Sequence, residues 1–447
     1  MQHGEAARCG GLTWESQGRR VRHPYRSSTR EVRWVMRVSS VAAAVALFIL
    51  LPGSLPAQTA FTVSLGRAFN SLSEGGIAES RQNTAARVSV EQRAADARLR
   101  LYYHLDSGSY TTPGDWTYYL HSAGGTWKFG PKPEEGKPAP LAVYAGGFAS
   151  LRSNGTSWAA ADYRAITLFA NVQRQPLETV VFRAGYRFDL RDFPDSPELD
   201  QREHDVFASL LLNFPSRTTV VAEAHAGAKD YRGGGVAPVP MPQYPEPGGA
   251  AGGSLFGAGS GFGRRAQPAS YMSVAQSAPT PGTRASQLNL LVRLAQSLAD
   301  RTGLSLQLAH RSTFGGLPAA VVTTPALFFD DGVYDDPFAS NANTVRGTLK
   351  HVRSSGLELE LQGVWMDKDY RGTRALEFDG VEMVSGELRA DRILRAGAGV
   401  NVPLFSSRTA PLALSLDVDY WFTRHRSNDL FYNYRSHGAG VGFSVSY

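Results

Sequence analysis

Charged side chains in this sequence recur at every second position of stretches whose other positions are apolar. Between residues 412 and 423, for example, Asp417 and Asp419 alternate with leucine, valine and tyrosine. In a β-strand, residues at every second position share one face. Charges of both signs on such a face can pair with each other or can attract and steer charged solutes. The residues predicted to line a shared polar interior are Arg98, Arg100, Arg183, Arg187, Glu223, Glu358, Glu360, Asp417 and Asp419.

Two interpretations of these charges are open. In the first, they form ion pairs in a water-filled interior, and each pair contributes little to stability. In the second, arginines of the predicted third and seventh strands face carboxylates of the thirteenth and fifteenth strands across the interior and create a transverse electric field. For any single residue, we favour the first interpretation.

The sequence has little that indicates catalysis. His104, His204, His225 and His310 are scattered over different predicted strands, and no His-Ser pairing at a defined spacing supports an activated nucleophile. The stretch NGTSW at 154–158 resembles a serine-containing rim loop only in a few common residues. There is no His-Glu-x-x-His run, phosphate-binding loop or cysteine cluster. The sequence therefore predicts a protein that is not an enzyme, with no cofactor and no metal site.

Two long segments are predicted to be loops. Residues 232–284 are rich in Gly, Pro, Ala and Ser, which predicts a mobile surface loop. Residues 313–343 include PALFFDDGVYDDPF, in which aromatic residues invite packing and carboxylates invite a cation or a basic wall. This loop is a candidate to fold inward as a constriction, and a plain extracellular loop or a surface calcium site is the competing interpretation. The candidate constriction residues are Phe328, Phe329, Asp330, Asp331, Tyr334, Asp335, Asp336 and Phe338.

The alternation marks sixteen strands from residue 59 to the last residue, and many of them run for ten residues or more. Sandwich strands are shorter, whereas a tilted membrane-spanning strand needs about that length. We therefore predict an all-β fold, a single antiparallel transmembrane β-barrel of about 16 strands, with 14 or 18 as alternatives, rather than two soluble sandwiches. Short links are expected at one end (173–177, 215–217, 299–301, 353–355) and long links at the other (191–200, 232–284, 313–343, 370–382, 425–433).

Some strands are poorly patterned, namely the second, fourth, sixth and twelfth. In the fourth, Tyr118 and Leu120 fall on one alternating set and Trp127 and Phe129 on the other. A glycine bulge at 124–125 is predicted to bring both sets to the outer face. In the fourteenth strand, Ile393 is an apolar residue at a predicted inner position.

The last fourteen residues, YRSHGAGVGFSVSY, alternate cleanly between apolar residues and Ser or Gly, and they end on an aromatic residue. This stretch resembles the C-terminal insertion signal of bacterial outer-membrane β-barrels. The resemblance implies an outer-membrane location in a Gram-negative-type bacterium. It also implies contact with the barrel-assembly machinery, outer-membrane lipid and lipopolysaccharide, and it leaves open a homo-oligomer. The residues that carry the signal are Val441, Phe443, Val445 and Tyr447.

The N-terminal region predicts export. Residues 1–35 are an Arg-rich extension, either mis-assigned or disordered, and residues 36–57 have the basic start, apolar centre and small-residue end of a signal peptide. The barrel is predicted over 58–447. Residues 1–57 contain eight arginines and three glutamates, so the remaining chain carries a net charge near +1 and gives no indication of nucleic-acid binding. The one cysteine, Cys9, also lies in this segment.

Together these patterns predict a porin-like passive channel for small polar solutes or ions. A structural or adhesion barrel that acts through its extracellular loops is the main alternative. An outer-membrane hydrolase is the weaker one. Strands begin within a few residues of residue 57, which leaves no room there for a separate plug domain.

Overall fold

The protein is described by a computed structural model over residues 58–446, apart from 75–76, 94–97, 111–116, 132–140, 156–158, 160–161, 232–283, 316–336, 376–382, 384, 407–411 and 430–431. For residues 58–59, 61, 68–74, 77–83, 110 and 198 the backbone alone is described. The predicted extension and signal peptide lie outside these residues and stay predictions. In the described part of the chain, no helix is long and apolar enough to cross a membrane.

The described residues form sixteen strands and two short 3-10 turns at Pro197–Leu199 and Pro337–Ala339. The strands are β1 Gln58–Glu74, β2 Ile77–Arg93, β3 Leu99–Tyr110, β4 Thr117–Phe129, β5 Ala142–Asn154, β6 Tyr163–Leu177, β7 Val180–Asp192, β8 Gln201–Phe214, β9 Thr218–Tyr231, β10 Arg284–Ala299, β11 Thr302–Gly315, β12 Ser340–Val352, β13 Glu358–Arg374, β14 Leu388–Ser406, β15 Ala413–Ser427 and β16 Tyr434–Ser446.

These strands close into one barrel. Each strand pairs antiparallel with its neighbours in sequence, and β16 returns to pair with β1, with Val445 opposite Val63 and Phe443 opposite Leu65. Closure gives every strand a partner on both sides and leaves no open edge. The predicted fold class and strand number are confirmed.

The two sides of the wall differ in chemistry. On β15, Asp417 and Asp419 pair with Gly442 and Gly440 of β16 on the inner side. The outer side carries large apolar residues that are half exposed, such as Val206 at 57%, Leu361 at 55% and Phe443 at 51%. A continuous apolar outer surface suits lipid and is unfavourable in water.

The two ends of the barrel differ in their links. We call the end that holds Gln58 and Ser446 the terminal end, and the opposite end the loop end. Apart from the two-residue link 75–76 at the loop end and the link 130–141 at the terminal end, short and long links separate as predicted. Short links lie at the terminal end (178–179, 215–217, 300–301, 353–357), and long ones at the loop end (193–200, 232–283, 316–339, 375–387, 428–433).

The predicted bulge in β4 is wrong. β4 pairs with β3 and β5 without any register shift, so Tyr118 and Leu120 point inward while Trp127 and Phe129 point outward. The inward side chains are satisfied locally: the ring of Tyr118 lies 5.0 Å from the Arg152 guanidinium, and Leu120 packs against a small cluster inside the barrel. An apolar residue at an inner position therefore needs an inner packing partner, not a bulge.

That small cluster also explains the unclear register of β6. Tyr163 points inward and packs against Phe193, which is 1% exposed, in the link 193–200. Ile393 is a second such case, because it is 3% exposed at its inner position, directly opposite His425. Links at the loop end thus reach into the barrel and bury apolar residues there.

Candidate functional site

The barrel interior is the candidate site, and eight of the nine predicted lining residues lie on strands and point into it. The exception, Arg98, precedes β3 in the link at the terminal end, where its carbonyl oxygen accepts a hydrogen bond of 2.7 Å from the Lys128 amide. The inward residues are Arg100, Arg183, Arg187, Glu223, Glu358, Glu360, Asp417 and Asp419.

On strands β2, β3 and β7, most inward arginines are held by acids. The guanidinium of Arg187 lies 2.8 Å from a carboxylate oxygen of Asp189 and 3.1 Å from one of Glu203. Arg100 pairs with Glu91, which also contacts Arg93 at 2.5 Å. The third and seventh strands therefore do not form a bare positive wall, and the first of the two interpretations of the charges describes this region.

Other polar groups in the same region also have partners within the wall. His225 Nδ1 lies 3.2 Å from Asp205, and its Nε2 lies 3.8 Å from Glu223. Arg183 donates a 3.0 Å hydrogen bond to Asn171 Oδ1, and its guanidinium lies 5.3 Å from the ring of Phe207. Each of these groups is oriented by a neighbouring strand.

The opposite stretch of wall, β10 to β14, carries a row of arginines. Arg293 pairs with Gln307, Gln307 with Arg346, Arg346 with Val364, and Val364 with Arg395, so the three arginines share one line of cross-strand partners. Because strands tilt in a closed barrel, such a line climbs along the barrel axis. We call Arg293, Arg346 and Arg395 the arginine row.

The arginine row is less compensated than the first wall. Arg293 donates to the neutral amide oxygen of Gln307 at 3.2 and 3.0 Å. Arg346 has a buried Nε with no hydrogen-bond partner. Among the described residues, no acid pairs with Arg293 or Arg346, so their positive charge is not neutralised by a direct ion pair and can attract an anion through its field. Arg346 was missed because β12 is weakly patterned, although Thr344, Arg346, Thr348 and Lys350 do mark its polar face.

Carboxylates near this row are partly engaged. Glu358 pairs with Lys350 at 2.6 Å, and Asp417 accepts a 2.7 Å hydrogen bond from Asn401 Nδ2. Glu360 lines a groove of about 380 Å³ near the terminal end, together with Arg346 and Lys350. Asp419 is 8% exposed on β15. The interior therefore holds arginines on β10, β12 and β14 and carboxylates on β13 and β15.

One of the eight candidate constriction residues, Phe338, is described, and it lies inside the barrel. Phe338 is 3% exposed and packs with Tyr231 and Ala285. Gln287 Nε2 donates a 2.6 Å hydrogen bond to the Pro337 carbonyl. A side chain at Gly227 would come within 3.1 Å of the Phe338 ring, so that glycine permits the close approach. The other seven candidate residues lie outside the described residues, and the constriction stays a prediction.

A second inward cluster lies at the loop end of β13 to β15. Arg389 is held between the rings of Tyr370 and Tyr432, at 4.4 and 3.2 Å, and pairs with Asp391 at 2.5 Å. His425 Nε2 lies 3.1 Å from the same carboxylate. The side chains of Arg389, Asp391 and His425 are almost fully buried, so this cluster stabilises the mouth of the barrel and is not placed to bind a solute.

The link 193–200 is fixed in a similar way. Asp200 accepts a 2.7 Å hydrogen bond from the Phe193 amide, and burial raises the pKa of its carboxyl group. Asn154 is held in the same manner, because it donates backbone and side-chain hydrogen bonds to Asp162 at 2.6 and 3.0 Å.

Ser157 of the NGTSW stretch lies outside the described residues. Within the described residues, no cluster of side chains could hold a metal ion.

The four histidines separate between the two faces. His104 and His225 point inward, whereas His204 and His310 point outward. Three outward histidines, His121, His204 and His437, are hydrogen-bonded to tyrosine hydroxyls at 2.9, 2.6 and 2.8 Å. His310 instead contacts Asn343 and Ser312.

No protein-family model matches the chain, and no characterised protein matches it in sequence. Its fold is similar to several solved structures. These include OccAB1 of Acinetobacter baumannii (TM-score 0.46, 9% identity, 88% of this chain and 98% of the other), the outer membrane protein OprD of Pseudomonas aeruginosa (0.39, 8%, 87% and 94%) and a bacterial polysaccharide outer membrane secretin (0.42, 8%, 87% and 97%). Similarity at this level carries no conclusion about function.

Proposed function

We propose that this protein is a porin-like passive channel for small polar solutes or ions in the outer membrane of a Gram-negative-type bacterium. The observation that carries the proposal is a closed barrel of sixteen strands with charged residues inside and apolar residues outside. A barrel of this size encloses a water-filled lumen unless other parts of the chain fill it. The interior described above is polar along most of its wall, so solutes can cross it in a hydrated state.

The outer face supports the membrane location. Arg392 pairs across strands with Arg426, and Arg424 with Arg435, near the loop end and next to apolar residues such as Leu394. Among the described residues, Arg424, Arg426 and Arg435 form no ion pair. Basic groups at this height suit the phosphates of anionic lipid, lipopolysaccharide included. The loop end would then face outward from the cell.

The C-terminal strand supports the predicted route of assembly. Val441, Phe443 and Val445 point outward between β15 and β1, where an insertion signal would be accessible before the barrel closes. Tyr447 lies outside the described residues. Recognition by the barrel-assembly machinery and export through a signal peptide remain part of the proposal.

The arginine row gives the channel a proposed preference. Most arginines on β2, β3 and β7 to β9 are neutralised by contacting acids, whereas Arg293 and Arg346 are not. A negatively charged solute group would be attracted most to the stretch of wall where the arginine charge is not neutralised by an acid. We therefore expect anionic solutes to follow the wall formed by β10 to β14.

Planar-bilayer recording tests both parts of the proposal. The purified protein should give single-channel currents, and in a KCl gradient Arg346→Glu should shift the reversal potential toward cation selectivity. Arg346→Glu changes the charge by two units, and one unit charge at about 4 Å contributes roughly 1 kcal/mol in water, so we expect roughly a thirtyfold change in the permeability ratio. Arg202→Glu, which changes an outward arginine, is the matched control and should leave selectivity unchanged.

Two results would contradict the proposal in different ways. Equal reversal potentials for Arg346→Glu and the unaltered protein would remove the arginine row from the conduction path. No current from protein that is demonstrably folded in lipid would favour a structural or adhesion barrel that acts through its loops.

A further inference from the structure

Three polar side chains lie together on the apolar outer face near the loop end. His310 and Ser312 are two residues apart on β11, so they share that face. Asn343 is the direct cross-strand partner of His310 on β12. The three residues are thus placed by strand spacing and register alone.

Their hydrogen bonds set the state of the imidazole. His310 Nδ1 lies 2.7 Å from Asn343 Oδ1, and His310 Nε2 lies 3.1 Å from Ser312 Oγ. A carbonyl oxygen can only accept a hydrogen bond, so the Nδ1 of His310 carries the proton and donates a hydrogen bond to Asn343 Oδ1. In a neutral imidazole, Nε2 is then unprotonated and accepts the hydrogen bond from the Ser312 hydroxyl.

This is the arrangement that activates a serine nucleophile. The base lies within hydrogen-bond reach of the hydroxyl, and a third residue holds the base in the required tautomer. Asn in the third position occurs in Cys-His-Asn proteases. A triad of this kind is recognised by its geometry and not by the order of its residues in the chain.

The neighbours of the triad indicate the class of substrate. Leu288 lies directly opposite Ser312, and Leu290 lies opposite His310. These residues and Leu308 are 37%, 44% and 49% exposed on the outer wall. A substrate that reaches Ser312 must therefore lie along an apolar surface, as the acyl chain of a membrane lipid does.

The other outward histidines provide a comparison within the same belt. His121, His204 and His437 use Nδ1 to bond a tyrosine hydroxyl on the adjacent strand. His310 instead places Nδ1 on an amide oxygen and Nε2 on a serine hydroxyl. Histidine–tyrosine pairs are expected where a barrel wall meets the membrane–water boundary. That location does not by itself account for a serine hydroxyl at the Nε2 of His310.

We propose that Ser312, His310 and Asn343 form the catalytic triad of an acyl-ester hydrolase that acts on membrane lipids at the outer wall. Ser312 Oγ attacks the ester carbonyl while its proton passes to His310 Nε2. The carbon–oxygen bond of the ester breaks, and His310 returns the proton to the departing lipid alcohol. Water, activated by His310, then attacks the acyl-serine and releases the fatty acid.

The inference rests on the proposed membrane location but not on conductance. The test uses the full-length protein in vesicles of phosphatidylethanolamine and phosphatidylglycerol, with free fatty acid as the product. The unaltered protein should release fatty acid, and Ser312→Ala should abolish the release. His310→Ala should lower the rate by about 10²–10⁴-fold, which is the usual contribution of general acid–base catalysis. His204→Ala, an outward histidine outside the triad, is the matched control and should retain the full rate.

A fluorophosphonate probe gives a second readout that does not depend on a chosen lipid. Mass spectrometry should find the adduct on Ser312 in the unaltered protein and in His204→Ala, and only weakly in His310→Ala. Absence of both fatty-acid release and the Ser312 adduct in protein that still conducts ions would overturn the hydrolase and leave the channel. Labelling without conductance would overturn the channel and leave the hydrolase.

Discussion

The two stretches of the inner wall use the same residue type in different ways. On β7 to β9, Arg187 lies between the carboxylates of Asp189 and Glu203. On β10 to β12, Arg293 donates to the amide oxygen of Gln307, and neither Arg293 nor Arg346 pairs with an acid among the described residues. All of these arginines point inward, so the strand position does not distinguish them. The residues on the neighbouring strands decide whether the charge of an arginine is neutralised by an acid or remains to attract an anion.

The largest loss of stability is expected when a charge is placed on the lipid-facing side of a strand. The comparison of the two walls depends on alternate residues of each strand pointing to opposite faces of the barrel. Asp417 and Val418 are adjacent near the middle of β15 and point inward and outward. Val418→Arg should lower the free energy of unfolding by about 2–4 kcal/mol. Asp417→Asn should leave it nearly unchanged. Urea unfolding in lipid vesicles measures both, and the opposite order of effects would mean that the register is shifted by one residue.

A moderate effect should separate the two kinds of arginine. Arg187→Ala leaves two acids without their cation, and since the pairs are partly exposed, we expect a loss of about 1 kcal/mol in the free energy of unfolding. Arg346→Ala removes a buried donor that has no partner, so stability should change by less than about 0.5 kcal/mol. If Arg187→Ala and Arg346→Ala lower the free energy of unfolding equally in the same assay, the two walls do not differ in how their arginines contribute to stability.

The smallest effect concerns the loop that reaches into the barrel. Phe338 covers part of the inner wall at Gly227 and Lys229. Phe338→Ala should release this contact and raise single-channel conductance modestly, with little effect on selectivity. Phe314→Ala, which changes an outward phenylalanine that is 47% exposed, is the control and should not alter conductance. Unchanged conductance in Phe338→Ala would place the conduction path away from this part of the mouth.

The strands that sequence reasoning described best are those whose two faces differ most in polarity. β15 and β16 were predicted with the correct faces because apolar residues alternate strictly with Asp, Ser or Gly. The faces of β4 and β6 were not predicted, because some of their apolar residues point inward. Tyr118 lies against Arg152, and Leu120 packs with Tyr163 and Phe193. Apolar packing inside a barrel cannot be read from one strand alone.

The sites show the same limit. The inward position of Arg187 follows from alternation, but its pairing with Glu203 depends on the register between β7 and β8. The two-residue spacing of His310 and Ser312 is visible in the sequence, whereas Asn343 lies beyond a long link and is brought opposite by pairing of β11 with β12. The prediction that the chain is not an enzyme was made without that contact, and it stays untested.

The central claim is that the polar inner face encloses a water-filled path, and scanning β15 with single cysteines tests it most directly. The described barrel is free of cysteine, since Cys9 is the one cysteine in the chain. A charged, water-soluble thiol reagent added during bilayer recording should react with Ser415→Cys and Asp417→Cys, at partly exposed inner positions, and reduce the current. Leu416→Cys and Val418→Cys, on the outer face, should not react. Reaction at the outer pair, or no reaction and no change in current at the inner pair, would contradict the account.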